Sequence, residues 1–268
     1  MIKLLDDMHL IDPIAKVQPY FGSLFYAAAC PFINDPDLMS IWVECDDEGS
    51  SHSVLLAGTD SLIVCTDGTS IGPEMLFFIT KIVEGGSIKD IDSDDVCYPV
   101  LKVLFPDAEQ ETAVQLVLKN RIDMPETDKE IKKSDNIKDV SSLMASAFGV
   151  KEKDDLDLWF LRMTRAVLRG QTTMLTLYEN GAAVSTASIR GRTATAGAIT
   201  SVVTLPEFRR KGYASCLTAM CSNMLIDEGR EVWLVPADSG VRKMYEKLGF
   251  SYAKNYNCLH FNEKEEVK

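Results

Sequence analysis

The chain has 268 residues, enough for one large domain or two small ones, and its 46% hydrophobic and 25% charged content is that of a soluble globular protein. A net charge of −12 argues against non-specific nucleic-acid binding, which needs a basic excess. No apolar run reaches the roughly 18 residues that span a bilayer, and the opening MIKLLDDMHLIDP carries acids where a signal peptide would be apolar, so a cytoplasmic protein without membrane association is expected. The seven cysteines include no C-x-x-C pair and read as small core residues of a reducing compartment. The histidines at 9, 52 and 260 lie far apart, and no metal-ligand spacing is present.

Four prolines punctuate the first forty residues, with a helix expected over 13 to 29. Leu38 to Cys45 then reads as a strand, followed by a turn over Asp46 to Gly49. Strands are also expected at His52 to Ala57 and Ser61 to Cys65, the pair separated by Gly58-Thr59-Asp60 as in a hairpin. Ile71 to Val83 repeats apolar residues at helical spacing, with Pro73 in its first turn and Gly85-Gly86 beyond its end. Tyr98 to Phe105 and Ala113 to Leu118 fit either helix or strand. Residues 1–125 carry 21 acids against 7 bases (−14), while 126–268 carry 19 against 21 (+2). With the polar, proline-containing stretch from Asp123 to Lys133, this places the expected boundary at 125/126: an N-terminal α/β domain, 1–125, and a second domain, 126–268.

The second half is more regular. A short strand at Glu130 to Lys133 precedes a helix through Val140 to Phe148, capped by Ser134 or Asp135. A further helix carries Leu156, Trp159, Phe160, Met163 and Val167 and ends at Gly170. Thr172 to Tyr178 and Ala182 to Ile189 form a hairpin through Asn180-Gly181, and Thr193 to Thr204 a third antiparallel strand. A helix to Gly229, a buried strand Glu231 to Val235, a helix Val241 to Leu248, and one or two strands over Tyr252 to Phe261 complete the chain.

The functional signal lies in ITSVVTLPEFRRKGYAS, Ile199 to Ser215. A β-branched run is stopped by Pro206, and a basic turn with Gly212 leads straight into a helix. Unpaired N–H groups at a helix start, with the positive end of its dipole, make an anion seat, and Gly212 lets a phosphate come close to the backbone. Taken alone, RRKG is also compatible with a solvated surface turn.

The order V-x-x-x-x-x-R-R-x-G-x-A from Val203 to Ala214 resembles the acyl-CoA pyrophosphate loop of the GNAT N-acetyltransferase superfamily, and TLPEFRRKGYAS is most similar to its glycine N-acyltransferase-like branch. Lys243 to Phe250, KMYEKLGF, is similar to that superfamily's C-terminal Y-E-K-L-G-F segment at the spacing the family requires. The likeness covers roughly residues 130 to 262. It implies a GNAT-type mixed α/β fold there, with a largely antiparallel sheet and flanking helices. Residues 1–125 would then be an additional α/β domain, for which a degenerate GNAT-like half is one reading.

The resemblance also implies acetyl-CoA, or another acyl-CoA, as co-substrate and a primary amine of a small molecule or amino-acid-like compound as acceptor, without a metal. Val202, Val203 and Thr204 would touch pantetheine and the acyl carbonyl. Arg209, Arg210, Lys211, Gly212, Tyr213, Ala214 and Ser215 would hold the pyrophosphate, and Asp238 stands where the family often has a cofactor-contacting asparagine. Tyr245 matches the family tyrosine that protonates the departing sulfur. Many family members carry a glutamate on the strand before the loop, yet Ala194 to Thr204 holds neither carboxylate nor histidine. An idle acyl-CoA-binding regulator is therefore the alternative to an active enzyme.

Overall fold

The structure is a computed structural model that describes residues 1–32, 39–134, 137–148 and 153–261. Two compact units appear: Met1–Gln115 with Ala253–Lys268, and Leu116–Tyr252. This differs from a division at 125/126 that leaves the whole C-terminus in the second half. The reason is hydrogen bonding: the last strand pairs with strands of the first unit.

In the first unit, β1 (Ile2–Leu4) precedes a 3-10 turn at Met8–Ile11, α1 (Asp12–Val17) and α2 (Pro19–Phe32). The single helix expected over 13 to 29 is thus broken at Gln18, whose φ of −119° and ψ of 70° leave the helical region. Pro19 explains the break, since its ring disfavours helical geometry in the residue before it. Then come β2 (Ser40–Cys45), β3 (Ser51–Ala57), β4 (Ser61–Thr66), α3 (Pro73–Glu84), β5 (Asp90–Ser93), α4 (Cys97–Leu104) and β6 (Glu109–Leu118). The two ambiguous segments therefore resolve as one helix and one strand. The strand order through this unit is β1-β2-β3-β4-β5-β12-β6, where β12 is Ser251–His260. The β2-β3-β4 meander is antiparallel and β4 runs parallel to β5. Leu55, Leu62, Val64, Met75, Ile79, Ile91, Leu101 and Leu259 bury against one another as the core under α3 and α4.

In the second unit, β7 (Glu130–Lys133), α5 (Lys138–Phe148) and α6 (Lys153–Leu168) lead into β8 (Thr172–Glu179), β9 (Ala182–Arg192) and β10 (Ala196–Thr204). After the loop come α7 (Tyr213–Asp227), β11 (Glu231–Leu234) and α8 (Ser239–Lys247). Strand order is β6-β11-β10-β9-β8-β7, with β6 contributing Leu116–Leu118 to β11. The expected hairpin turn is present, with Asn180 and Gly181 both at positive φ. Val140, Leu143, Met144 and Met163 bury against Met174 and Val203, which seats α5 and α6 on the meander. Asp135, one of two expected helix caps, lies outside the described residues, as do Leu38 and the side chains of Leu156 and Trp159. Phe160 is 36% exposed. Among the described residues, no helix is long and apolar enough to cross a membrane.

Candidate active site

The site begins where two parallel strands separate. β10 pairs with β11 only at Ala196↔Glu231, Gly197↔Val232 and Ala198↔Trp233, whereas its antiparallel ladder with β9 continues to Thr204↔Ser185. From Ile199 onward, the edge of β10 on the β11 side has no β11 partner. The divergence coincides with a bulge: register shifts between Thr200 and Val203, and Ser201 takes a φ of 53°. An extra residue in one strand bends it and increases its twist. Hydroxyls of β9 repair the disturbed ladder, with Ser188 Oγ donating to the Thr200 carbonyl at 3.0 Å and Ser185 Oγ to the Val203 carbonyl at 2.9 Å. Neither serine was singled out from the sequence, because only the register places them opposite the bulge.

Beyond Thr204, Pro206–Phe208 forms a single 3-10 turn and Arg209 folds back, its Nε donating to the Thr204 carbonyl at 3.2 Å. Arg210 and Gly212 both lie in the left-handed region, at φ 66° and 83°. Arg210, Lys211 and Gly212 are exposed. Gly212 is the N-cap residue of α7, makes no side-chain cap bond, and has nothing within 4 Å of where a Cβ would stand. The first turn of α7, which includes Ala214 and Ser215, contains no acid. Its leading N–H groups therefore retain their capacity to bind an anion.

The side chains beneath the loop are held by Glu179, a residue sequence reasoning missed. The Tyr213 hydroxyl donates to Glu179 Oε2 at 2.7 Å, and Lys211 and Lys129 approach the same carboxylate at 3.5 and 3.8 Å. Tyr213 holds Glu179 below its ordinary pKa, with the two lysines adding to the effect. Reciprocally, the Tyr213 phenol is pushed up to about 12 by this hydrogen bond and by burial. Lys211 Nζ also lies 4.7 Å from the Phe208 ring centroid. So Arg209, Lys211 and Tyr213 brace the turn through their side chains. Glu179 ends β8, 34 residues before Tyr213 in the chain, and no local pattern marks it.

Asp238 and Tyr245 belong to α8. Asp238 Oδ1 accepts from Gly240 N at 2.7 Å and Val241 N at 2.8 Å, a helix N-cap. Tyr245 is buried, its ring 5.7 Å from that of Phe250. Val203 is buried, and Val202 and Thr204 are half-buried.

The model of the FR47-like protein family matches residues 174–259, about a third of the chain, from β8 into β12. No curated protein sequence matches it. Among solved structures, a tandem GNAT protein from the clavulanic acid biosynthesis pathway superposes with a TM-score of 0.63 at 9% identity, covering 99% of each chain. A GCN5-related N-acetyltransferase from Sphaerobacter thermophilus gives 0.61 at 14% identity, covering 100% of this chain and 97% of its own. One from Kribbella flavida gives 0.60 at 15%, covering 80% and 88%. The fold is that of the GCN5-related N-acetyltransferases.

Within this GNAT fold, the starts of α3, α4, α7 and α8 differ in one respect. In the first unit, α3 begins at Gly72, and its start is already occupied by the buried carboxylate of Glu44. Glu44 accepts from Gly72 N at 3.1 Å, Met75 N at 3.4 Å and Ser53 Oγ at 2.9 Å. A Cβ at Gly72 would come within 2.2 Å of Glu44 Oε1. The start of α4 is filled by buried Asp94, which accepts from Val96 N and Cys97 N at 2.9 and 2.7 Å, as well as from Thr66 N. With Asp238 on α8, three of these four helix starts carry a carboxylate, whereas α7 begins without one. Glu44 and Asp94 are also the only buried carboxylates among the described residues, and both lie in the first unit. No carboxylate or histidine lies on β10, and Glu207 is exposed.

Proposed function

We propose that the chain is an acyl-CoA-dependent N-acyltransferase, most simply an acetyltransferase acting on a primary amine of a small-molecule or amino-acid-like acceptor. The observation that carries this reading is the glycine-opened, carboxylate-free start of α7, placed at the end of a strand that has parted from its neighbour. Tyr213, Ala214 and Ser215 offer backbone N–H groups to the pyrophosphate, and the dipole of α7 favours its charge. The open edge of β10 at Val202, Val203 and Thr204 offers backbone partners to the pantetheine amides. Exposed Arg210 supplies further positive charge.

In the proposed reaction the amine nitrogen attacks the thioester carbonyl directly. The N–C bond forms, the C–S bond breaks, and Tyr245 gives the departing sulfur its proton. A backbone N–H of the β10 edge polarises the carbonyl. The amine proton leaves through water, since β10 offers no base. The buried free cysteines among the described residues suit the reducing cytoplasm. The first unit serves as a degenerate half whose anion seats are filled by its own acids.

The test is calorimetry of the full chain with acetyl-CoA, followed by detection of free thiol over a panel of amines. Binding with amine-dependent thiol release supports the enzyme. Binding with background release favours the idle regulator, a reading motivated by the missing carboxylate on β10. No binding of any acyl-CoA from acetyl to medium chain removes both.

A further inference from the structure

A second cluster of chemically capable side chains lies in the first unit, on β12 and its neighbours. Alternate residues of a strand share a face, so Cys258 and His260 point to the same side of the sheet. In the antiparallel register with β5, His260 stands opposite Asp90 and Cys258 opposite Asp92. Glu111 approaches from β6. His260 Nδ1 lies 2.6 Å from Asp90 Oδ1 and 3.8 Å from Cys258 Sγ, while Nε2 lies 3.0 Å from Glu111 Oε2. One ligand atom each from Asp90, Cys258 and His260 falls within 4.8 Å of the other two. Cys258 is buried, and Asp90 and His260 are partly exposed, so an ion can reach them from solvent.

We infer that Asp90, Cys258 and His260 form a binding site for a divalent transition metal of the zinc class. Thiolate, imidazole and carboxylate together are the donor set of zinc rather than of calcium or magnesium, which prefer oxygen alone. The spacing agrees. Zinc bonds of about 2.3 Å to sulfur and about 2.0 Å to nitrogen at a tetrahedral angle set the two donors about 3.5 Å apart, against the 3.8 Å between Cys258 and His260.

Glu111 is the independent sign. By accepting from Nε2 it turns the Nδ1 of His260 toward Cys258 and Asp90, which is how a carboxylate outside the metal shell orients a ligating histidine. Asp92 accepts a hydrogen bond from the Cys258 thiol, a contact that is given up when the sulfur binds metal as a thiolate. Binding replaces the Cys258 thiol proton, and any proton on Nδ1 of His260, with metal–sulfur and metal–nitrogen bonds, so it releases protons without any redox change. The fourth position is left to water. Such an ion clamps the end of β12 to β5 and uses none of the residues assigned to acyl transfer.

The experiment is a titration of the metal-stripped full chain with Co2+, read by absorbance, and then displacement by Zn2+. One equivalent per chain should give tetrahedral d–d bands and a sulfur-to-cobalt charge-transfer band, with a dissociation constant in the micromolar range or tighter. Cys258→Ser should remove the charge-transfer band, and Cys45→Ser should leave it unchanged. His260→Asn, at a partly exposed position, should weaken Co2+ at least tenfold. If Cys258→Ser does not fold, His260→Asn decides: unchanged affinity overturns the site. Absence of the band at equimolar Co2+, or its persistence in folded Cys258→Ser, also overturns it.

Discussion

Gly212 sits at φ 83° with open space where a side chain would begin, so substitutions there separate backbone strain from ligand contact. Gly212→Ala should cost about 1 kcal/mol through the left-handed geometry, seen as a small fall in Tm. Gly212→Asp should in addition set a carboxylate at the proposed pyrophosphate seat and abolish the calorimetric signal for acetyl-CoA. Wild-type affinity in Gly212→Asp would place the cofactor elsewhere. The Tyr213–Glu179 pair makes a prediction in pH. Glu179 is depressed below its ordinary 4.5, so its contribution to stability is complete above that value and is lost as pH falls through the folded value. The Tm difference between wild type and Tyr213→Phe should therefore be widest near neutrality and narrow in acid below 4.5. A difference independent of pH would show that Glu179 is not the charged partner.

Helix starts govern the next scale. On α8, Asp238→Ala removes a cap worth about 1 kcal/mol, and Asp238→Ser should restore it because a hydroxyl can accept from the same N–H groups. Stability that fails to recover in Asp238→Ser would point to a role beyond capping. The same helix carries Tyr245, for which Tyr245→Phe should lower kcat roughly a hundredfold if it is the general acid, with little change in KM for acetyl-CoA; an unchanged kcat would reduce the residue to packing against Phe250. On α3, Glu44→Ala strands the Gly72 and Met75 N–H groups and should cost about 1–3 kcal/mol, measured by denaturant unfolding. A cost near zero would mean that water replaces the carboxylate without penalty.

For the molecule as a whole, the filled seats of α3 and α4 against the open one of α7 predict one acyl-CoA per chain, so a calorimetric stoichiometry of two would refute the proposal. Much of this was legible in order along the chain. The Asn180-Gly181 hairpin, the β-branched run of β10, Gly212 before α7 and the helical run of α8 are encoded in neighbouring residues, because turn, strand and helix preferences act over a few positions. The mixed α/β fold followed from that order and from the resemblance in two separated motifs. What remained hidden depends on partners far apart in sequence. Glu44 fills the start of α3 from 28 residues away, Tyr213 finds Glu179 at 34, and His260 meets Asp90 at 170. The register of β9 on β10, which supplies hydroxyls to the bulge, and the pairing of β12 with β5 rather than with strands of the second unit are likewise set by sheet assembly. The sequence alone thus determined where an anion seat could form, since that needs only a strand, a glycine and a helix start. Tertiary structure decided which seats stay open, because only folding brings a distant carboxylate to a helix start or leaves it bare.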